Sequence, residues 1–257
     1  MSTNLTYFAA DVSLPMSSVN SEAMTFEFDH LFICTDVGAA NADRLVSFGL
    51  VEGSSSQHPG QGTANRRFFF HNAMLEFLWI HDSTEAQSEV ICRTRLWERW
   101  SLSVTGDGSF AVAEGNRVCP FGICLRPGKD SGDAVAFSSW EYHPPYLPLS
   151  LSIAVGNNSE ILSEPMLFQI PFGKRPDQAP PEKAQPIGHP IGLREITRVE
   201  VVSPVASPPS PELQAVLDTG QVKLRTGEDY CIELGLDGET QGQQVDFRPE
   251  LPLILFW

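Results

Sequence analysis

Two titratable residues stand among mostly apolar neighbours: His30 in DHLFIC and Glu76 in MLEFLWI. An imidazole and a carboxylate facing one space either ligate a divalent metal or move a proton. An ionised Glu among Phe, Leu and Met is costly to bury without a partner. A fold that needed only packing would carry Leu or Val at position 76. A cation, a metal or a bound substrate group offsets the cost. Arg67 in ANRRFFFHN offers a guanidinium for an anionic group. Glu76 then serves as base or metal ligand, and His30 as metal ligand or electrophilic hydrogen-bond donor. Glu76, His30 and Arg67 form the candidate catalytic set, and His30 with Glu76 the candidate metal pair.

Six further residues are candidates for binding substrate: Phe28, Phe69, His71, Trp140, Tyr146 and Gln169. Trp140, Tyr142, His143 and Tyr146 lie in the proline-stiffened stretch SSWEYHPPYLP, which reads as an aromatic lid over an apolar ligand. Gln169 alternates with Phe168, so one of the two faces the cavity. His58, in QHPGQGT, reads as a rim residue. Cys34 is flanked by apolar residues and reads as an inert thiol. No Walker loop, dinucleotide-binding fingerprint, HExxH or GxSxG is present.

The elements that position these residues follow from periodicity. FEFDHLFICT is a strand whose alternation puts Phe28, His30, Phe32 and Cys34 on one face. AANADRLVSFGL is a short helix ended by Gly49. NRRFFFHN and AMLEFLWI are strands, and a two-residue turn at Asn72-Ala73 pairs His71 with Met74, Phe69 with Glu76 and Arg67 with Leu78. Arg67, Phe69, His71 and Glu76 then project to one side. Residues 24–82 thus form a βαβββ unit. Residues 83–117 are a connector, with Trp97 and Trp100 on one side of a helical turn as a packing plug. Residues 118–172 hold the strands FGICLRP, LSIAVG and PMLFQIPF, with no helix between the first two. Residues 173–190 are a Pro-rich linker. Residues 191–257 repeat the opening grammar as a βαββ-like unit, with PELQAVLDTG as the helix. Their apolar end, LPLILFW, is expected to dock as a strand. A lone unit of this kind leaves one sheet face bare, so units pair into a curved, half-closed sheet with a cavity.

The chain has 257 residues, with 17 Lys and Arg against 32 Asp and Glu and a net charge of −15. So acidic a surface repels nucleic acid and anionic membranes. No run approaches the roughly 20 apolar residues of a membrane span. Five cysteines without a C-x-x-C fit reduced thiols and a cytoplasmic location. Residues 1–23 read as a disordered extension.

FDHLFICT with its helix, followed by ANRRFFFHNAMLEFLWI, resembles the glyoxalase-like branch of the vicinal oxygen chelate superfamily. PFGICLRP, PPYLP and EPMLFQIP look like that family's second module, and HPIGLREITRVEVVSP like the start of a third, degenerate one. The resemblance implies an α+β fold of tandem βαβββ modules paired into a curved, half-closed mixed sheet. It implies a divalent metal (Zn, Ni, Mn or Fe) held from the first and fourth strands of each module. His30 and Glu76 match two of those positions; Gly122 and Phe168 occupy the other two and cannot ligate through their side chains, so the alternative is no metal at all. The activity implied is lyase or isomerase chemistry on a small, partly apolar carbonyl or enol metabolite. The alternative is a non-catalytic protein that binds or sequesters a small molecule. A small-molecule ligand is the expected partner, with a homodimer as a candidate assembly.

Overall fold

The structure is a computed structural model and describes residues 26–104, 117–129, 131–132 and 134–257. The expected 1–23 extension and the later part of the 83–117 connector lie outside the described residues.

The chain is an α+β protein with two mixed sheets and few helices. The larger sheet takes eight strands: β1 (Phe26–Cys34), β2 (Ser56–His58), β3 (Thr63–Phe69), β4 (Met74–Ile80), β5 (Phe121–Pro127), β6 (Ser139–Tyr142), β7 (Ile153–Gly156) and β8 (Met166–Gln169). Their order is β2-β3-β4-β1-β5-β8-β7-β6. β1 runs parallel to β4 and β5 parallel to β8, while β1 and β5 meet antiparallel at the centre. The two halves therefore share one strand order. In the first half α1 (Asp43–Phe48) follows β1, and Gly49 closes it with a φ of 111°, a left-handed conformation that favours glycine. In the second half no helix separates β5 from β6 among the described residues. Between the halves lie α2 (Ser83–Ala86) and α3 (Leu96–Ser103). Trp97 packs 5.7 Å from Trp100, whose Nε1 donates to the Thr35 carbonyl and docks α3 on the sheet.

The register fixes how the halves correspond. His30 lies opposite Met74, two residues before Glu76; Gly122 lies opposite Met166, two residues before Phe168. Gly122 and Phe168 thus hold the places in the second half that His30 and Glu76 hold in the first.

The last 62 residues build the smaller sheet from β9 (Ile196–Ser203), β10 (Lys223–Thr226), β11 (Cys231–Leu236), β12 (Gln244–Asp246) and β13 (Leu253–Phe256), in the order β10-β9-β11-β13-β12. The helix α4 (Pro211–Asp218) is capped by the Ser210 hydroxyl, which accepts from the Leu213 amide. This block does not copy the first. After its helix the chain returns as β10, directly beside β9 and parallel to it, whereas the parallel neighbour of β1 is β4. Hydrophobicity accounts for the difference. KLRT is too polar for an inner place and takes an edge, while LILF, apolar throughout, is inserted between β11 and β12.

Alternation divides the large sheet into two faces. Leu31, Ile33, Leu75, Phe77, Phe121 and Ile123 share one core with Val199, Val201, Ile232 and Leu234 of the small sheet. The third block therefore covers the outer face of the large sheet. Phe32, Cys34, Leu78, Cys124, Met166 and Phe168 form a separate cluster on the opposite face, where the cavity lies. No helix among the described residues is long and apolar enough to cross a membrane.

Candidate functional site

The inner face of the large sheet encloses a cavity of about 330 Å³ with mostly apolar walls, including Phe69, Met166, Phe168 and Ile170. His30 and Glu76 lie on its floor, 9% and 6% exposed. A β-bulge builds the floor. The β1–β5 register shifts between Phe28 and His30, and Asp29 is the extra residue. The bulge breaks alternation, so Asp29 and His30 both line the cavity.

His30 is held between two carboxylates. Its Nδ1 lies 2.6 Å from Asp29 Oδ1, and its Nε2 lies 3.7 Å from Glu76 Oε2. An ionised carboxylate only accepts, so Nδ1 carries a proton and Nε2 is the nitrogen turned to Glu76 and the cavity. Asn65 Nδ2 donates to Glu76 Oε1 at 2.6 Å and fixes the carboxylate. Arg126, itself buried, donates from Nη1 to Asp29 Oδ2 at 3.2 Å and from Nε and Nη2 to Glu27 Oε2. Burial alone would raise the Asp29 carboxyl. The hydrogen bond and charge of His30, with Arg126 behind them, outweigh burial and hold its pKa below the usual value. Burial also opposes the His30 imidazolium, but Cys124 and Asp29 outweigh it, and the His30 pKa stands well above that of an ordinary histidine.

This pair ties stability to pH at both ends. Asp29 has a folded pKa below its unfolded value, so its contribution is present above about pH 4 and is lost as pH falls through the lowered pKa. His30 has a folded pKa above its unfolded value, so its contribution is full below about pH 6.5 and is lost as pH rises through the raised pKa. Asp29→Asn is expected to flatten the acid limb of a melting-temperature profile and to lower the His30 pKa in an imidazole NMR titration. A His30 titration unchanged in that variant would show that Asp29 does not set its charge.

The other sequence candidates divide. Phe69 and Tyr146 line the cavity, and so does Arg67. The Arg67 guanidinium lies over the Phe69 ring and is held from below by Ser54, whose carbonyl accepts from Nε at 2.7 Å and whose hydroxyl accepts from Nη2 at 3.0 Å. Four candidates fall outside. The bulge turns Phe28 into the core between the sheets. Trp140 lies beside the cavity cluster under the Arg93 guanidinium. Gln169 spends its amide on backbone, accepting from the Ala136 N–H and donating to the Ala134 carbonyl, and Phe168 faces the cavity in its place. His71 sits in the β3–β4 turn.

That turn is centred on His71-Asn72, because the Phe70 amide already donates to the Ala73 carbonyl. The pairs are Phe69 with Met74, Arg67 with Glu76 and Asn65 with Leu78, two residues from the expected register. The cause is distant in sequence. The Asn72 side chain donates to the Ile196 carbonyl and accepts from the Ile196 amide, which pins Asn72 in the turn against β9.

Sequence reasoning missed Asp29, Gln61, Asn65 and Lys174, all of which line the cavity. The polar Asn65 within a buried strand was the one available signal. His58 is more than a rim residue. Its ring stacks on Tyr146 at 4.7 Å across the cavity, and burial holds its pKa below the usual value against the pull of Glu76. Tyr142, also in the expected lid, donates its hydroxyl to Gln61 Oε1 at 2.8 Å. His143 does not line the cavity.

The residues present do not fit a metal held from both halves. A Cβ on Gly122 would lie 2.0 Å from Phe32 Cε1, so the Phe32 ring fills the space of a ligand side chain. The Phe168 ring meets the His30 ring edge-on, with centroids 5.2 Å apart. Ligand atoms of Asp29, His30 and Cys124 lie within 4.8 Å of one another, but Asp29 is engaged by Arg126 and burial pushes the Cys124 thiol up to about 11. Cys34, pushed up to about 12 by burial, is no better a ligand. Gly122→Ala is expected to cost about 1–3 kcal/mol by overpacking against Phe32. A scanning-fluorimetry melt unchanged from the wild type would show that the ring moves freely.

No family model matches the sequence, and no curated protein matches it. Among solved structures, the crystal structure of a hypothetical protein from Staphylococcus aureus matches 90% of this chain and 99% of its own, at 11% identity and a TM-score of 0.45. A likeness that loose says nothing of the site.

Proposed function

We propose that this chain is a glyoxalase-like protein of the vicinal oxygen chelate superfamily that takes a small, partly apolar carbonyl or enol compound into its cavity and moves a proton on it. The observation that carries the reading is the pairing of His30 Nε2 with Glu76 Oε2, 3.7 Å apart on the floor of an apolar cavity. The shared strand order of the two sheet halves supports the family.

Glu76, steadied by Asn65, takes the proton from the carbon next to the carbonyl. The electron pair moves onto the carbonyl oxygen. His30, charged and anchored through Nδ1 on Asp29, donates from Nε2 to that oxygen as negative charge develops. Return of the proton to a neighbouring carbon completes an isomerisation; loss of a leaving group from that carbon completes a lyase reaction. Only two of the four ligand positions that the family resemblance implies carry donors, so no step here uses a metal.

Gly122 and Phe168 favour a second reading, a binder that keeps the cup without catalysis. Incubation with phenylacetone in D2O separates the two. The enzyme reading expects the α-proton signals in the ¹H NMR spectrum to disappear about 10²-fold faster than in buffer. Saturable binding with no exchange would leave only the binder. Stoichiometric divalent metal in freshly purified protein would overturn the metal-free mechanism.

A further inference from the structure

We infer that the ligand is a monocarboxylate, bound with its carboxylate outward at the cavity mouth against Arg67 and Lys174 and its apolar body inward. The inference rests on the cavity being a small-molecule site, as proposed above.

Burial sets the direction. His30 and Glu76 on the floor are buried, whereas Arg67 is half-buried and Lys174 exposed, so the two cations mark the open end. Neither has a carboxylate partner among the described residues, in a chain with nearly two acids for every base. Eight other arginines each hold a carboxylate within ion-pair distance, and the four that do not, Arg93, Arg99, Arg117 and Arg194, lie outside the cavity lining. Arg67 has a carboxylate at hand, since Glu76 is its cross-strand partner, yet the two form no ion pair. Ser54 holds its Nε and Nη2 and leaves Nη1 without a partner among the described residues. A guanidinium aimed by neutral groups and short of one acceptor is set to receive an anion.

The floor excludes the opposite pose. Glu76 and Asp29 would repel a third carboxylate there, whereas a neutral carbonyl finds the His30 donor. Between floor and mouth the walls offer Phe69, Ile170 and Phe172 to an apolar body. The net charge of −15 repels anions from the surface at large, so local cations are needed to admit one.

A matched set of probes tests this: 3-phenylpropanoate, its amide and 3-phenylpropylammonium, titrated by calorimetry. The acid is expected to bind about tenfold more tightly than the amide, the ammonium least, and the preference to shrink with added salt. In an Arg67→Gln/Lys174→Gln variant, acid and amide should bind alike. The salt series on the wild-type protein gives the same answer if that variant does not fold. An amide that binds the wild type as tightly as the acid overturns the charge assignment and leaves the cavity reading standing. Absence of saturable binding by all three overturns both.

Discussion

Arg126→Met is expected to lower stability by about 3–5 kcal/mol, the cost of stranding a buried charge. In a chain of this size that is a fall in melting temperature of about 10 °C. Arg126 is 3% exposed and holds Asp29, Glu27 and the Asn72 carbonyl at once. Glu27 is nearly half exposed and returns to water without it. Asp29 cannot, and the cost arises there. A double variant, Arg126→Met with Asp29→Asn, removes the stranded charge with its partner and should recover about 1–2 kcal/mol. Urea unfolding of the four proteins in the cycle measures both values. An Arg126→Met protein that unfolds with the wild type would mean that water reaches Asp29 and that the network carries no stability.

Glu76→Gln should act on the chemistry instead. The amide oxygen still accepts from Asn65, so the 2.6 Å hydrogen bond survives. The lost interaction is the longer one, 3.7 Å to His30, whose other nitrogen keeps Asp29. The change in stability should therefore stay within about 1 kcal/mol, or a few degrees of melting temperature. Removing the general base should slow proton exchange by about 10²-fold, back to the rate in buffer. The His30 pKa should also fall, because a neutral amide replaces a carboxylate beside Nε2. A variant destabilised by roughly 3 kcal/mol with exchange or ligand binding unchanged would make Glu76 a structural partner of His30 and remove it from the site.

Sequence alone determined which residues share a face wherever the strands are regular. Alternation has a period of two, so a turn misjudged by two residues in register still leaves Arg67, Phe69 and Glu76 on the cavity side. The correspondence of Gly122 with His30 and of Phe168 with Glu76 came from the family resemblance, by laying the middle segments on the opening ones, and the two registers agree with it. What failed was every feature set by a partner far along the chain. The bulge that brings Asp29 beside His30 arises from the mismatch of β1 with β5, almost a hundred residues later. Asn72 takes its place in the turn from Ile196, and Gln169 is claimed by backbone at Ala134 and Ala136. Lys174 reaches the cavity mouth from a proline-rich stretch with no periodicity to read. The third block has the local grammar of the first, but pairing and burial, which no window of sequence contains, set it across the outer face of the large sheet. Local pattern decides the direction of a side chain; only the folded chain decides what that side chain meets.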